Sequence, residues 1–306
     1  MTERVLITGI RGQTGSYLAE HLADRFEVHG TSRTASEVVT ESATGEAAVH
    51  RVDLTDAAAV RGVIARVQPS RVFHLAAASA VTSQDETDPA TDHLLAALPD
   101  GVRLVFASSR EVFDPTVPGP HSERTPIGNH RSAYARRKAS SQAAVAAARK
   151  AGRWASSAIL FNHESPRRPE RFVTRKITAA AARIAAGDRS PLVLGNLQTA
   201  RDWGWAPDFA RAMALMAEAE QPRDHVVATG RLHTLADLLA AAFGCLGLDW
   251  TGHVEQDPEL LRRHDTPGVA GDATRIWQSL GWHPTVPFDE IVERMVRADQ
   301  ERIRSS

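Results

Sequence analysis

Alternating strand-like and helix-like segments predict an α/β fold built on a doubly wound parallel sheet. Short apolar runs recur at 4–8, 27–31, 48–52, 71–75, 103–107 and 158–161, with the length and composition of buried strands. Between them, 14–24, 56–67 and 134–150 carry longer amphipathic patterns that read as helices. Such alternation lays helices on both faces of a parallel sheet, with right-handed crossovers and ligands at the carboxyl ends of the strands. After about residue 165 the pattern changes, and helical stretches dominate at 173–186, 209–219, 234–243 and 288–302. In the last of these, Phe288, Ile291, Val292, Met295 and Val296 form one apolar stripe. Short strands such as 225–229 are interspersed. The expectation is a smaller, mostly helical C-terminal domain over 166–306, closing on a sheet domain over 1–165, with segments interleaved. The stretches 35–46 and 114–129 read as loops.

Composition narrows the function classes. The chain has 306 residues, 42% hydrophobic and 24% charged, which suits one large or two closely packed domains. A formal net charge of -1 supplies no basic field for nucleic acid or an anionic membrane. The single cysteine, Cys245, permits neither an intrachain disulfide nor a multi-cysteine metal site, and it reads as a small buried hydrophobe. No signal-peptide pattern opens the chain and no apolar run reaches membrane-spanning length. A soluble cytoplasmic protein is expected.

The first motif is Gly9-Ile-Arg-Gly12-Gln-Thr-Gly15, which follows a strand and opens a helix. Glycines there let the backbone turn tightly and approach a pyrophosphate at the helix N-terminus, the arrangement of a Rossmann-type dinucleotide site. The second strand ends at Arg33, where an acidic residue would bind a ribose diol. An arginine instead pairs with the 2′-phosphate of NADP, or is a solvated surface charge. Leu75 and Ala76, after the fourth strand, are compact enough to lie beside a cofactor. Asp53 and Leu54, after the third, flank the same edge, although Asp53 could equally cap the next helix.

The second motif is Tyr134-Ala-Arg-Arg-Lys138, which puts Tyr and Lys on one helix face. A phenol of pKa about 10 lies roughly three units above neutrality, or about 4 kcal/mol. A nearby ammonium and an oxidised nicotinamide can supply that by favouring phenolate. Upstream, Ser109 can donate to a sugar hydroxyl and Glu111 can act as a second base, or be an exposed loop carboxylate.

Taken with Phe161-Asn-His-Glu-Ser-Pro-Arg-Arg168, Val173-Thr-Arg-Lys-Ile177 and Arg201-Asp-Trp-Gly204, these motifs resemble the GDP-mannose 4,6-dehydratases of the extended short-chain dehydrogenase/reductase family. The resemblance runs from Arg4 to about Asp299. It implies NADP held by Gly9, Gly12, Gly15, Arg33, Asp53, Leu54, Leu75, Ala76, Tyr134, Lys138 and His163. It implies catalysis by Ser109, Glu111, Tyr134 and Lys138. It implies a GDP-sugar held by Asn162, Lys176, Arg201, Arg262 and Asp265, in a homodimer or homotetramer. The implied reaction oxidises C4, eliminates water across C5 and C6, and returns hydride to C6. Where the family carries Thr-Ser-Glu, this chain has Ser109-Arg110-Glu111. The family's Ala-Ala-Gln-Ser-His-Val is Ala76-Ala-Ala-Ser-Ala-Val81, its ribose-binding Glu is Asp265, and its Tyr-Gly is Phe113-Asp114. The connection from Val81 to Val102 is shorter and is expected to lack a helix beside the active site. A GDP-4-keto-6-deoxymannose reductase consuming NADPH, an epimerase on the same scaffold, and a non-catalytic NADP-binding homologue are the alternatives.

Overall fold

The computed structural model describes residues 2–34, 38–42, 45–76, 88–130, 132–260 and 268–305. The first half runs β1 (Arg4–Thr8), α1 (Gln13–Leu22), β2 (Glu27–Ser32), β3 (Val38–Ser42), β4 (Gly45–Arg51), α2 (Ala57–Val67), β5 (Arg71–His74), α3 (Pro89–Ala97), β6 (Arg103–Ser109), α4 (Ala133–Lys150) and β7 (Ala155–Leu160). The second half runs β8 (Asn162–Glu164), α5 (Val173–Ala185), β9 (Leu192–Leu194), β10 (Ala200–Arg201), β11 (Trp203–Trp205), α6 (Ala206–Glu218), β12 (His225–Val227), β13 (His233–Thr234), α7 (Leu235–Gly244), β14 (Val254–Gln256), α8 (Thr274–Leu280) and α9 (Phe288–Arg304).

The central sheet has the order β12-β7-β6-β5-β1-β2-β4-β3. Its strands are parallel except β3, which pairs antiparallel to β4 at the edge. Period-two alternation sends neighbouring residues to opposite faces. Val5 and Ile7 join Leu18 of α1 and Met213 of α6 on one face, while Leu6 joins Val63 of α2, Leu94 of α3 and Val145 of α4 on the other. All three β1 residues are fully buried, as a strand covered on both sides requires. Strand β1 has β2 on one side and β5 on the other. The strand order reverses there, and a crevice opens at the carboxyl ends.

A second core is built by α5, α7 and α9, through Ile177, Ala181, Leu239, Phe243, Val292 and Val296. The alanine run of α5 lets α9 approach, and Arg175 and Asp299 form a buried ion pair at 2.5 Å between them. No helix among the described residues is long and apolar enough to cross a membrane.

Four elements differ from the sequence reading. Part of 35–46, read as a loop, is the edge strand β3. The run beginning at His225, expected in the C-terminal domain, is β12 and pairs with β7 in the central sheet. The shortened connection still contains α3, started by Pro89 and capped by the Asp88 carboxylate on Ala90 N at 3.2 Å. Cys245 is exposed, because it sits at the C-cap of α7 where the apolar face has ended.

Candidate active site

At the crevice the glycine turn is tight enough to exclude side chains. Gly9 has φ +72°, and a Cβ there would lie 3.0 Å from Ala76 N. A Cβ on Gly15 would lie 2.4 Å from the Gly9 carbonyl oxygen and 2.8 Å from Ile10 Cα. Gly12 precedes α1 with no side-chain cap, leaving the first-turn N–H groups open toward the crevice. Ala76 N donates to Thr8 Oγ1 at 3.1 Å, which fixes the Leu75–Ala76 backbone beside the turn. Arg33 lies exposed just past β2. Asp53 accepts from Thr55 N at 3.0 Å and Thr55 Oγ1 at 2.8 Å. These bonds hold its carboxyl below the usual range, with a smaller pull from the Arg33 guanidinium. The helix cap is Asp56, bonded to Ala58 N at 2.8 Å, so Asp53 does not serve that role and Leu54 is buried beside it. These residues fit a dinucleotide. The turn admits no Cβ, the N-terminus of α1 carries no side-chain cap, and the Arg33 guanidinium lies just past β2.

The catalytic candidates converge from β6 and α4. Ser109 ends β6 and accepts from Glu111 N at 3.3 Å, and its hydroxyl faces the Tyr134 phenol closely enough to favour the phenolate. Glu111 lies in a single 3-10 turn, exposed, with Arg110 Nε at 3.4 Å. Burial pushes the Tyr134 phenol above its ordinary value. The Ser109 hydroxyl opposes this, the Glu111 carboxylate adds to it, and the Arg168 and Arg137 guanidiniums pull it down. The sequence reading gave that last role to Lys138. Instead the buried Lys138 ammonium donates to the Ala107 carbonyl at 2.7 Å and stands 4.7 Å from the Phe106 ring centroid. Burial brings its pKa down to about 8, with the Asp88 carboxylate opposing.

The polar segment after β7 is stapled to the glycine turn. Gln13 Nε2 donates to the His163 carbonyl at 2.8 Å, and Ser165 Oγ donates to Gln13 Oε1 at 2.8 Å. His163 Nδ1–H donates to the Phe161 carbonyl at 2.8 Å, which leaves Nε2 to accept from Thr14 Oγ1, also at 2.8 Å. Burial brings the imidazole pKa down to about 4, so it is neutral at pH 7. Glu164 is buried, accepts from Thr174 Oγ1 at 2.7 Å and pairs with Arg168 Nε at 3.3 Å without hydrogen-bond alignment. The Arg168 guanidinium stacks 3.7 Å above the Phe172 ring.

On the substrate side, Asn162 lies on β8, paired with Trp203 of β11. Lys176 Nζ donates to the Val193 carbonyl at 2.7 Å, and Arg201 Nη1 donates to the Ala200 carbonyl at 2.7 Å. Arg262 and Asp265 lie outside the described residues. Four residues escaped sequence reasoning. Gln13 and Thr14 sit inside the glycine motif, but their partners are about 150 residues away. Glu164 and Arg168 lie in the 161–168 segment, but the buried pairing of the two and the reach of Arg168 to the phenol are tertiary.

A family model described as GDP-mannose 4,6 dehydratase matches residues 6–295. The chain belongs to the GDP-mannose 4,6 dehydratase family. It is 41% identical to GDP-mannose 4,6 dehydratase 2 of Arabidopsis thaliana, over 97% of this chain and 86% of that one. It is 36% identical to the Homo sapiens GDP-mannose 4,6 dehydratase, over 98% and 92%. Among solved structures it resembles a putative epimerase from Burkholderia cenocepacia J2315, with a TM-score of 0.88, 27% identity and coverage of 98% and 99%. Set against the family pattern, Arg110 is the departure nearest the catalytic set. It adds a guanidinium beside Glu111, and its Nη1 is buried without a hydrogen-bond partner.

Proposed function

We propose that this protein catalyses the 4,6-dehydration of GDP-mannose to GDP-4-keto-6-deoxymannose, as a lyase with tightly bound NADP. The observation that carries the reading, beside family membership, is a pair of distinct proton acceptors at one place. Ser109 Oγ accepts from Glu111 N at 3.3 Å, which ties the two residues together, and the Ser109 hydroxyl and the Glu111 carboxylate act in opposite senses on the Tyr134 phenol. A reaction that only oxidises or reduces at C4 needs the first alone. An elimination needs the second as well.

Gly9, Gly12, Gly15 and Arg33 would hold the cofactor, with Asp53, Leu54, Leu75, Ala76 and His163 lining it. Bound there, the nicotinamide supplies a hydride acceptor at C4 and a hydride donor at C6. Tyr134 takes the C4 hydroxyl proton, and Ser109 orients the same oxygen. Lys138 keeps one donor on Ala107 and has two left for cofactor hydroxyls. Once C4 is a ketone the C5 proton is acidic; Glu111 removes it and passes it to the C6 hydroxyl, which departs as water, and after hydride reaches C6 Glu111 returns a solvent proton to C5 while Tyr134 gives its proton up to solvent. Asn162, Lys176 and Arg201 would take the GDP end, where the planar fork of Arg201 suits two phosphate oxygens.

The test is incubation of purified protein with GDP-mannose and no added NADPH. A product lighter by one water is expected. No reaction with GDP-mannose, together with NADPH oxidation by a 4-keto sugar, would replace this reading with the reductase.

A further inference from the structure

Asp202 lies between Arg201 and the tryptophan that opens β11, and it is fully buried. Its carboxylate is the meeting point of three segments distant in sequence. Oδ1 accepts from Thr229 N at 2.9 Å and Thr229 Oγ1 at 2.6 Å. Oδ2 accepts from Gly230 N at 2.9 Å and Gly271 N at 3.1 Å. Every donor is a neutral N–H or O–H group, and among the described residues no cation pairs with it. A buried carboxylate without a cation is costly unless its lone pairs are filled, and here four donors fill them. A structural residue in this place could have been apolar. The packing around it is close, since a Cβ on Gly271 would lie 2.4 Å from Ala228 Cβ, and one on Gly268 would lie 2.8 Å from the Ala200 carbonyl oxygen.

Successive side chains of an extended segment point to opposite sides. Arg201 is extended on β10, paired with His233 of β13, and half-exposed, while Asp202 next to it faces inward. Fixing Asp202 inward on three backbone N–H groups therefore fixes Arg201 outward. We propose that Asp202 is a positioning residue for substrate: it locks the 200–202 segment against 229–230 and 271 so that Arg201 is presented to the diphosphate of the nucleotide sugar. This rests on the nucleotide-sugar reading above. Asp202 touches no reacting atom and sets binding rather than chemistry.

The decisive variant is Asp202→Asn. It keeps the shape, but its NH2 group must face either the Thr229 pair or the two glycine N–H groups, opposing donor to donor. GDP affinity by calorimetry and the KM for GDP-mannose should each weaken about tenfold, with kcat at saturation within about threefold of wild type and NADP affinity unchanged. A residue that only supports the fold would lower folded yield or melting temperature and leave the KM of the folded fraction alone. If the Asn variant does not fold, Thr229→Val removes the 2.6 Å hydroxyl contact to Asp202, together with the 3.2 Å contact from Arg231 N, and leaves the three backbone donors in place. It should raise KM about two- to fivefold at constant kcat. Wild-type binding of GDP is the control. If wild type binds GDP and the variant binds it equally well, the positioning role is overturned and the function stands. If wild type does not bind GDP, both fall.

Discussion

Lys138 offers the sharpest test of how burial sets the chemistry. Its ammonium is enclosed beside the Phe106 ring and keeps one hydrogen bond, to the Ala107 carbonyl. Burial lowers its pKa from 10.5 to about 8, which corresponds to roughly 3 kcal/mol against the charged form. In the proposed mechanism the ammonium holds the cofactor hydroxyls with its two remaining N–H groups, one of which is lost on deprotonation, so the first hydride transfer should fall above roughly pH 8, not above pH 10. The assay is single-turnover NADPH absorbance with saturating GDP-mannose across pH 6–10. Asp88→Asn should move the alkaline limb lower, because Asp88 is the carboxylate that favours the ammonium. Unfolding cannot imitate this limb through Lys138. Its folded pKa lies below its unfolded one, so between about pH 8 and 10.5 the unfolded chain binds more protons and stability rises with pH. A limb at pH 10 or above, or an upward shift in the Asp88 variant, would refute the reasoning.

Arg33→Ala should abolish a preference for NADP over NAD of about ten- to hundredfold, the worth of one charge-assisted pair, measured by titrating both cofactors. Equal binding of the two by wild type would show that Arg33 is a solvated charge. Glu111→Gln should keep GDP-sugar and NADP binding while losing deuterium incorporation at C5 in heavy water; exchange that persists would assign the base elsewhere. For His163, the folded pKa of about 4 lies below the ordinary 6.5, so its contribution to stability is complete above pH 6.5 and is lost as pH falls toward 4. Urea unfolding should show up to about 1.4 kcal/mol lost per pH unit from this residue, and His163→Gln should remove that share of the slope.

What was legible in the sequence was local. Strands β1, β2 and β5, and helices α2, α4, α5 and α9, follow from period and composition within single segments. The glycine turn and the Tyr134–Lys138 pair are likewise fixed by spacing on one turn or one helix. The failures share one cause. A three-residue run such as His225–Val227 carries no information on which sheet it joins, and here β7 offered the free edge. Glu123 then covers part of the new edge, taking Val226 N at 2.7 Å. The α3 helix is only nine residues, too short for its period to stand out, and its existence rests on a cap and on packing against α2 and α4. Among site residues, Arg168 has no role assigned from the sequence, because nothing local reveals the phenol near it.

The staple between the glycine turn and the segment after β7 changes how the site should be understood. Gln13 and Thr14 occupy the first turn of α1, where a pyrophosphate would sit, and both bind the segment that carries Asn162, His163 and Arg168. The same segment is held from its other side, where Arg302 Nη2 of α9 donates to the Pro166 carbonyl at 2.7 Å. Arg168 is thereby fixed at one end by Glu164 and faces the phenol with its charge. The phenol's protonation is therefore governed from four places at once: the end of β6 through Ser109, the 3-10 turn through Glu111, the stapled segment through Arg168, and α4 through Arg137. Burial alone would leave the phenol a poor base. Of the groups opposing burial, Ser109 acts most strongly and Arg168 next, and Arg168 is held by Glu164 and the Phe172 ring in a segment anchored from both sides. Loosening Gln13 or Arg302 should thus reach the chemistry at Tyr134 without touching it, by letting that guanidinium drift.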